Sequence, residues 1–275
     1  MKNTISLFAA AKKSGEKLTM LTAYDYSFAR LVDQSGVDSV LVGDSLGNVI
    51  LGYEDTVPVT MADMIHHTRA VSRGCAKALV VSDLPFLSYQ VSVPQAVENA
   101  GRLLKEGRAQ AVKLEGGRAV APQIRAIVDA SIPVMGHIGL TPQAINAMGG
   151  FKIQGKSEES VKKLLDDALA VEDSGAFAVV IECVPPKVAE LVTRKLSIPT
   201  IGIGAGPCCD GQILVYHDMV GLFSGFTPKF VRKYAEAGEI IQKAFATYVS
   251  EVKNGSFPAP EHAFAGPELE LEKLY

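Results

Sequence analysis

Apolar residues in this chain come in short continuous runs, each stopping abruptly at a polar and often charged residue. The runs are LTMLTAYD (18–25), SVLVGDS (39–45), ALVVSDLP (78–85), AVKLEGG (111–117), PVMGHIGL (133–140), AVVIECVP (178–185), PTIGIGAG (199–206) and ILVYHD (213–218). Runs of this length, apolar at consecutive positions, read as parallel strands buried on both faces. Between them lie helices with recognisable ends. Thr60 and Asp63 open MADMIHHTRAVSRG as a capping box with Asp63 in the usual glutamate position, and Gly74 closes it. Ser92 and Gln95 open VPQAVENAGRLLKEG in the same way, ended by Gly107. Thr141 starts another helix, with Pro142 at the first helical position, where a missing N–H is harmless. Ser157 caps EESVKKLLDDALAVED up to Gly175, and Pro185 and Pro186 lead into KVAELVTRKL. Residues 228–255 read as a C-terminal helix, followed by the Pro-rich stretch FPAPEHAF.

Strand and helix alternate almost throughout, which predicts a (β/α)₈ TIM barrel, an α/β fold in a single domain over 1–275. The barrel core spans about 18–250, preceded by an N-terminal helix and followed by the C-terminal helix and a tail over about 254–275. A doubly wound open sheet has the same alternation, but it places a Gly-rich phosphate turn after its first strand. Here that strand ends in Thr22, Ala23, Tyr24 and Asp25, and the glycines come late, in GIGAG.

Composition narrows the class. At 275 residues the chain is close to the roughly 250 of one such barrel. A 48% apolar content supplies one large core, and no run approaches the roughly 20 residues of a membrane span. A net charge of −3 and a pI near 6.0 offer no field for nucleic acid or an acidic bilayer. The opening MKNTISLFAAAKKSGEK has too short an apolar core for a signal peptide and no arginines for a transit peptide, so it reads as an amphipathic helix under the barrel. Cys75, Cys183, Cys208 and Cys209 lack CxxC or framework spacing, as expected of reduced thiols in a cytoplasmic protein.

Candidate chemistry lies at the ends of the runs: Asp44, Asp83, Lys113, Glu115, His137 and Glu182. In a barrel these ends share one rim, where catalysis is assembled. Individually, Asp44 and Asp83 could cap turns, Lys113 and Glu115 could pair on one strand face, and His137 could be a satisfied core histidine. Glu182 resists such a reading, because glutamate is a poor cap and its burial between VVI and CVPP needs a cation or hydrogen bonds to compensate. Carboxylates gathered on one rim repel unless they share a cation, and an oxygen-only set suits Mg²⁺ or Mn²⁺ over zinc, with Mg²⁺ the ion expected. Of the five histidines, His66, His67 and His262 fall on helix or tail, leaving His137 and His217 near the rim. GIGAGPCCDG carries no lysine or arginine, so its glycines are read as packing devices and not as a phosphate cradle.

From about Thr4 to Phe264 the chain resembles the ketopantoate hydroxymethyltransferase (3-methyl-2-oxobutanoate hydroxymethyltransferase) family. The resemblance rests on MLTAYDYSFARL, VLVGDSLGNVILGYEDTVPVT, MIHHTRAVSRG, SDLPFLSYQ, VKLEGG, MGHIGLTPQ, GGFKIQGK, IECVP, IPTIGIGAGPCCDGQILVYHDMVGL, PKFVRKY and FPAPEHAF. DLPF stands where DMPF is usual and LGNV where LGMV is usual, which leaves the chemical positions intact. The resemblance implies transfer of a one-carbon unit from 5,10-methylenetetrahydrofolate to 3-methyl-2-oxobutanoate, giving 2-dehydropantoate, the first step of pantothenate synthesis. It implies Mg²⁺ at Asp44 and Asp83 with Glu115 associated, and oxo-acid contacts at Asp44, Ser45, Asp83 and Lys113. It also implies Glu182 as proton acceptor and a homo-oligomer, an octamer or decamer. Glu182 stands on a different strand from the proposed ligands, as a base should, and His137 is a candidate supporting residue behind them. Two rivals stay open: a Mg²⁺-dependent lyase or mutase of phosphoenolpyruvate or 2-oxo acids, and a barrel that binds a metabolite without turnover.

Overall fold

All eight apolar runs form strands in the computed structural model, which describes residues 2–222, 225 and 227–266. They are β1 (Leu18–Thr22), β2 (Ser39–Val42), β3 (Leu79–Asp83), β4 (Ala111–Glu115), β5 (Val134–Gly139), β6 (Ala178–Glu182), β7 (Thr200–Ile203) and β8 (Gly211–Leu214). Each pairs in parallel with its sequence neighbours, and β8 returns to β1 with Leu18 opposite Gly211. The ring is closed, which excludes the open sheet. No helix among the described residues is long and apolar enough to cross a membrane.

Strand parity decides what fills the ring. Leu79 and Val81, Ala111, Met135, Ala178 and Val180 form one interior cluster with residues of β1, β2, β7 and β8. The next positions of the same parity are charged: Asp83 after Val81, Lys113 and Glu115 after Ala111, His137 after Met135, and Glu182 after Val180. The lower end of the barrel is sealed by the N-terminal helix, Ile5–Ser14, as its amphipathic pattern predicts. Its Phe8 is fully buried and meets Phe177 edge-on at 5.1 Å. Its Lys12 donates to the Thr193 carbonyl and to Asp210, both at 2.8 Å. A ligand therefore enters from the other end.

The helix ends largely follow the sequence. Thr60 and Asp63 form the full capping box of Met61–Gly74. Ser92 accepts from Gln95 N, but the Gln95 side chain turns to the Leu87 carbonyl, so only half of that box forms. Three expectations need correction. The helix expected at Thr141 is only two short turns, Pro142–Ala144 and Ile145–Met148, and the long helix of that unit is Glu158–Asp173. No helix joins β7 to β8: residues 204–210 run back to the lower end, where Asp210 accepts from Thr200 N at 2.8 Å. Gly204 (φ +64°) and Gly206 (φ +82°) lie where an added Cβ would fall 2.7 Å from Phe230 and Pro186 respectively, so these glycines serve close packing.

The third correction concerns the C-terminal helix, which begins at Ala237 and not at 228, and buries none of its residues in this chain. The segment before it is tied to the barrel top through Tyr234 N, which donates to the Met219 carbonyl, and the first two helical residues donate there as well, Ala237 N to Val220 and Gly238 N to Gly221. A helix start leaves such N–H groups without helical partners, so the barrel top caps the helix where it begins. Residues 267–275 of the expected tail lie outside the described residues.

Candidate active site

The six rim residues named from the sequence meet in one pocket of about 160 Å³ at the open end of the barrel. Asp44, Asp83, Lys113, Glu115 and His137 are all at most 6% exposed, and the Glu182 side chain is 15% exposed. Gly43 makes the first approach possible. A Cβ there would fall 2.8 Å from Ser45 Oγ and 3.4 Å from Asp83 Oδ2, and without it Asp44 N donates to Asp83 Oδ2 at 3.0 Å. Register then sets Lys113 opposite Asp83 and His137 opposite Glu115.

Lys113 pairs with Asp83, not with its strand neighbour Glu115: Nζ lies 3.1 Å from Asp83 Oδ1 and 3.2 Å from His137 Nδ1. The His137 ring bridges two carboxylates, with Nδ1 3.3 Å from Glu115 Oε1 and Nε2 3.2 Å from Glu182 Oε2. Glu182 thus has a partner that the sequence did not reveal. Burial disfavours the charged form of every group here, and what differs is the compensation. Burial and the neighbouring Asp83 and Glu115 push Asp44 well up. Asp83 is also raised by burial, with Lys113 pulling against it. For Glu115 burial is outweighed by His137 and Lys113, and the carboxyl is held low. For Lys113 burial is outweighed by Asp83, Glu115 and Asp44, which raise it. Burial and Lys113 oppose the His137 proton, yet Glu115 and Glu182 bring its pKa up to about 9.

Fully ionised, this cluster sets four carboxylates against one lysine and one imidazolium, an excess of two negative charges. Asp44 keeps one oxygen free of hydrogen bonds among the described residues, and the buried Oδ1 of Asp83 has only the Lys113 ammonium beside it. Both Glu115 oxygens are engaged, one by His137 and the other by Gln143 N at 3.0 Å. Among the described residues no three His, Cys, Asp or Glu side chains form a ready-made cage. Two carboxylates with spare acceptor capacity and open volume in front suit Mg²⁺, which keeps waters and takes few protein ligands. The residues present fit that ion.

A family model described as ketopantoate hydroxymethyltransferase matches residues 2–260. The chain belongs to the ketopantoate hydroxymethyltransferase family. It is 64% identical over 275 residues to the 3-methyl-2-oxobutanoate hydroxymethyltransferase of Clostridium novyi (strain NT), with 100% of both chains covered. The same holds, again at 64%, for the enzyme of that name from Enterococcus faecalis (strain ATCC 700802 / V583). Among solved structures, phosphoenolpyruvate phosphomutase from Streptomyces platensis subsp. rosaceus has a TM-score of 0.64 at 16% identity, covering 99% of this chain and 94% of that one. Phosphonopyruvate hydrolase has a TM-score of 0.61 at 13% identity, covering 94% and 93%. The barrel is thus shared with mutases and hydrolases, while sequence places the chain among the hydroxymethyltransferases, as an enzyme of the transferase class.

Ketopantoate hydroxymethyltransferase motifs also carry residues that sequence reasoning passed over. Gln143, in MGHIGLTPQ, is 5% exposed and donates from Nε2 to Asp44 Oδ2 and to the Leu84 carbonyl, both at 2.9 Å. Tyr89 OH donates to Gln143 Oε1 at 2.7 Å and accepts from Glu115 N at 3.1 Å. Tyr24 OH and Ser45 Oγ share a hydrogen bond at 2.8 Å. Gln143 sits directly after a proline at a helix start, and only its burial in the folded chain marks it as part of the site. His217 is drawn away from the rim into an aromatic group with Tyr24, Phe28 and Tyr216.

Proposed function

We propose that this enzyme transfers a hydroxymethyl group from 5,10-methylenetetrahydrofolate to C3 of 3-methyl-2-oxobutanoate, giving 2-dehydropantoate through an enolate. The observation that carries this reading is the division of labour in the pocket. Asp44 and Asp83 present carboxylate oxygens on one side, and Glu182 stands three strands away from β3, coupled to His137. Mg²⁺, held by Asp44 and Asp83 with Glu115 behind them, would supply Lewis-acid polarisation of the 2-oxo acid. Lys113, kept cationic by Asp83, Glu115 and Asp44, faces the negative charge that develops on the keto oxygen. Ser45, anchored by Tyr24, offers a hydroxyl to the substrate carboxylate. Glu182 removes the C3 proton, and the His137 imidazolium, 3.2 Å away as an ion pair without hydrogen-bond geometry, offsets its charge. Water hydrolyses both carbon–nitrogen bonds of the methylene bridge, which releases tetrahydrofolate and leaves the one-carbon unit as formaldehyde in the pocket. C3 of the enolate adds to that carbonyl carbon, and the alkoxide formed takes up a proton to become the hydroxymethyl group.

A mutase or lyase acting on a phosphonate or phosphate would need more positive charge than Lys113 and His137, yet no arginine lines the pocket among the described residues. The deciding experiment is Mg²⁺-dependent exchange of the C3 proton of 3-methyl-2-oxobutanoate in deuterated water, with and without tetrahydrofolate. Exchange without loss of substrate supports the reading, and its absence under both conditions sinks it. The exposed C-terminal helix supports a homo-oligomer. Ile240 is 69%, Phe245 67% and Tyr248 57% exposed, an apolar face suited to a second copy of the chain.

A further inference from the structure

The rim is chemically divided. The charged groups occupy the five neighbouring strands β2 to β6, and the arc of β7, β8 and β1 carries none in the ring itself. That arc presents Ile203, Leu214 and Val215 to the pocket, and Phe230 and Val231 fold over it from the segment above. The one charged side chain lining this half, among the described residues, is Asp218, one turn beyond β8. It is half-buried and makes no side-chain hydrogen bond or ion pair among the described residues. Burial there pushes its carboxyl up.

Two features say that this half is built for a ligand other than the oxo acid. The pocket's volume of about 160 Å³ falls well short of the roughly 300–1,000 Å³ that encloses a drug-sized molecule. The charged arc accounts for a small 2-oxo acid, which leaves the apolar arc at the mouth for the larger folate of the reading above. Apolar walls with a single carboxylate that has no partner among the described residues suit a flat heterocycle that presents adjacent N–H donors, because a carboxylate accepts two parallel hydrogen bonds. A reduced pterin has that face in its ring N–H and its 2-amino group.

We propose that Asp218, with Phe230 and Val231 as its apolar cover, forms the subsite that holds the pterin ring of the one-carbon donor. Asp218 accepts from the ring N–H and the 2-amino group, which turns the methylene carbon toward the charged arc. This assignment rests on the folate-dependent reading above. Tyr24 marks the seam between the two halves. Its hydroxyl holds Ser45 on the oxo-acid side, and the Asp218 charge reaches the same phenol.

The test separates the two substrates. Asp218→Asn retains one acceptor and replaces the other with a donor facing a donor. Tetrahydrofolate binding, followed by calorimetry on the full-length protein, should weaken about 10- to 100-fold, the equivalent of one or two hydrogen bonds to a charged group. The KM for methylenetetrahydrofolate should rise with it. Exchange of the oxo acid's C3 proton without folate, and the KM of the oxo acid, should stay within about threefold of wild type. Phe230→Ala should shift the same constants in the same direction. Wild-type affinity for tetrahydrofolate in Asp218→Asn overturns the assignment. So does an effect on the oxo acid's exchange or KM as large as that on folate, since Asp218 would then serve the charged half. Failure of the wild-type enzyme to exchange the C3 proton at all would instead strike the underlying reading.

Discussion

His217 gives a quantitative test of the electrostatics at the barrel top. Its ring lies 4.0 Å from that of Tyr216 and 5.5 Å from Tyr24, and Nδ1 is buried with no partner among the described residues. Burial pulls its pKa down to about 4, with Asp25 acting weakly in the other direction. In the unfolded chain a histidine titrates near ~6.5. The unfolded chain therefore binds this proton more readily than the folded one. The neutral ring's contribution is intact above about pH 6.5 and is lost progressively as the pH falls toward 4. Integrating between those limits gives a loss of about 2 kcal/mol at pH 5 and almost none at pH 7.5.

His217→Phe keeps an aromatic ring in the group, removes the orphaned nitrogen and abolishes the titration. Urea unfolding at about pH 7.5 and about pH 5 measures the difference directly. The wild-type protein should lose about 2 kcal/mol more than the variant over that interval. Other titrating groups, including Asp218 with its raised carboxyl, are common to both proteins and cancel in the comparison. Equal losses in the two proteins would refute the argument, as would a variant that is the more acid-sensitive.

Glu182→Gln keeps the shape beside His137 and removes basicity, so C3-proton exchange should fall by about 10²- to 10⁴-fold while oxo-acid binding persists; exchange at the wild-type rate would move the base to Glu115 and then His137. Asp83→Ala should abolish Mg²⁺-dependent turnover with the circular dichroism spectrum unchanged, and wild-type Mg²⁺ affinity in that variant would remove Asp83 from the metal site. Phe8→Ala opens a void at the sealed end of the barrel and should cost about 3–5 kcal/mol in denaturant unfolding, with a loss below about 1 kcal/mol showing that the N-terminal helix is not part of the core. Light scattering at micromolar concentration should report an oligomer, and a monomer would leave the apolar face of Ala237–Asn254 without an explanation.

Much of the site is legible in the amino-acid sequence because a parallel strand buried on both faces tolerates a charge only where the barrel opens. Asp83, Lys113, His137 and Glu182 announce themselves by ending apolar runs, and strand parity alone aims them inward. Gln143 and Tyr89 carry no such mark. Gln143 sits in the short turn after β5 and Tyr89 in the loop after β3, and they join the site only when the closed ring brings the segments after β2, β3 and β5 within 3 Å of one another. Pairing is equally hidden. Lys113 lies two residues from Glu115 in sequence yet binds Asp83, because the β3–β4 register sets those two side by side.

Local sequence determined this protein's strands, most of its helix caps and the chemical character of its rim, since burial and capping act over a few residues. Tertiary structure decided where local preference met a competing partner. The helix expected from 228 starts only at Ala237, where Tyr234 N and the first two helical N–H groups are taken by carbonyls at 219–221. GIGAG could have turned into a helix after β7, but the close approach of Phe230 and Pro186 needs glycines that run straight back. Which charges share a proton, and which stand without a partner, follows from distances that only the closed barrel creates.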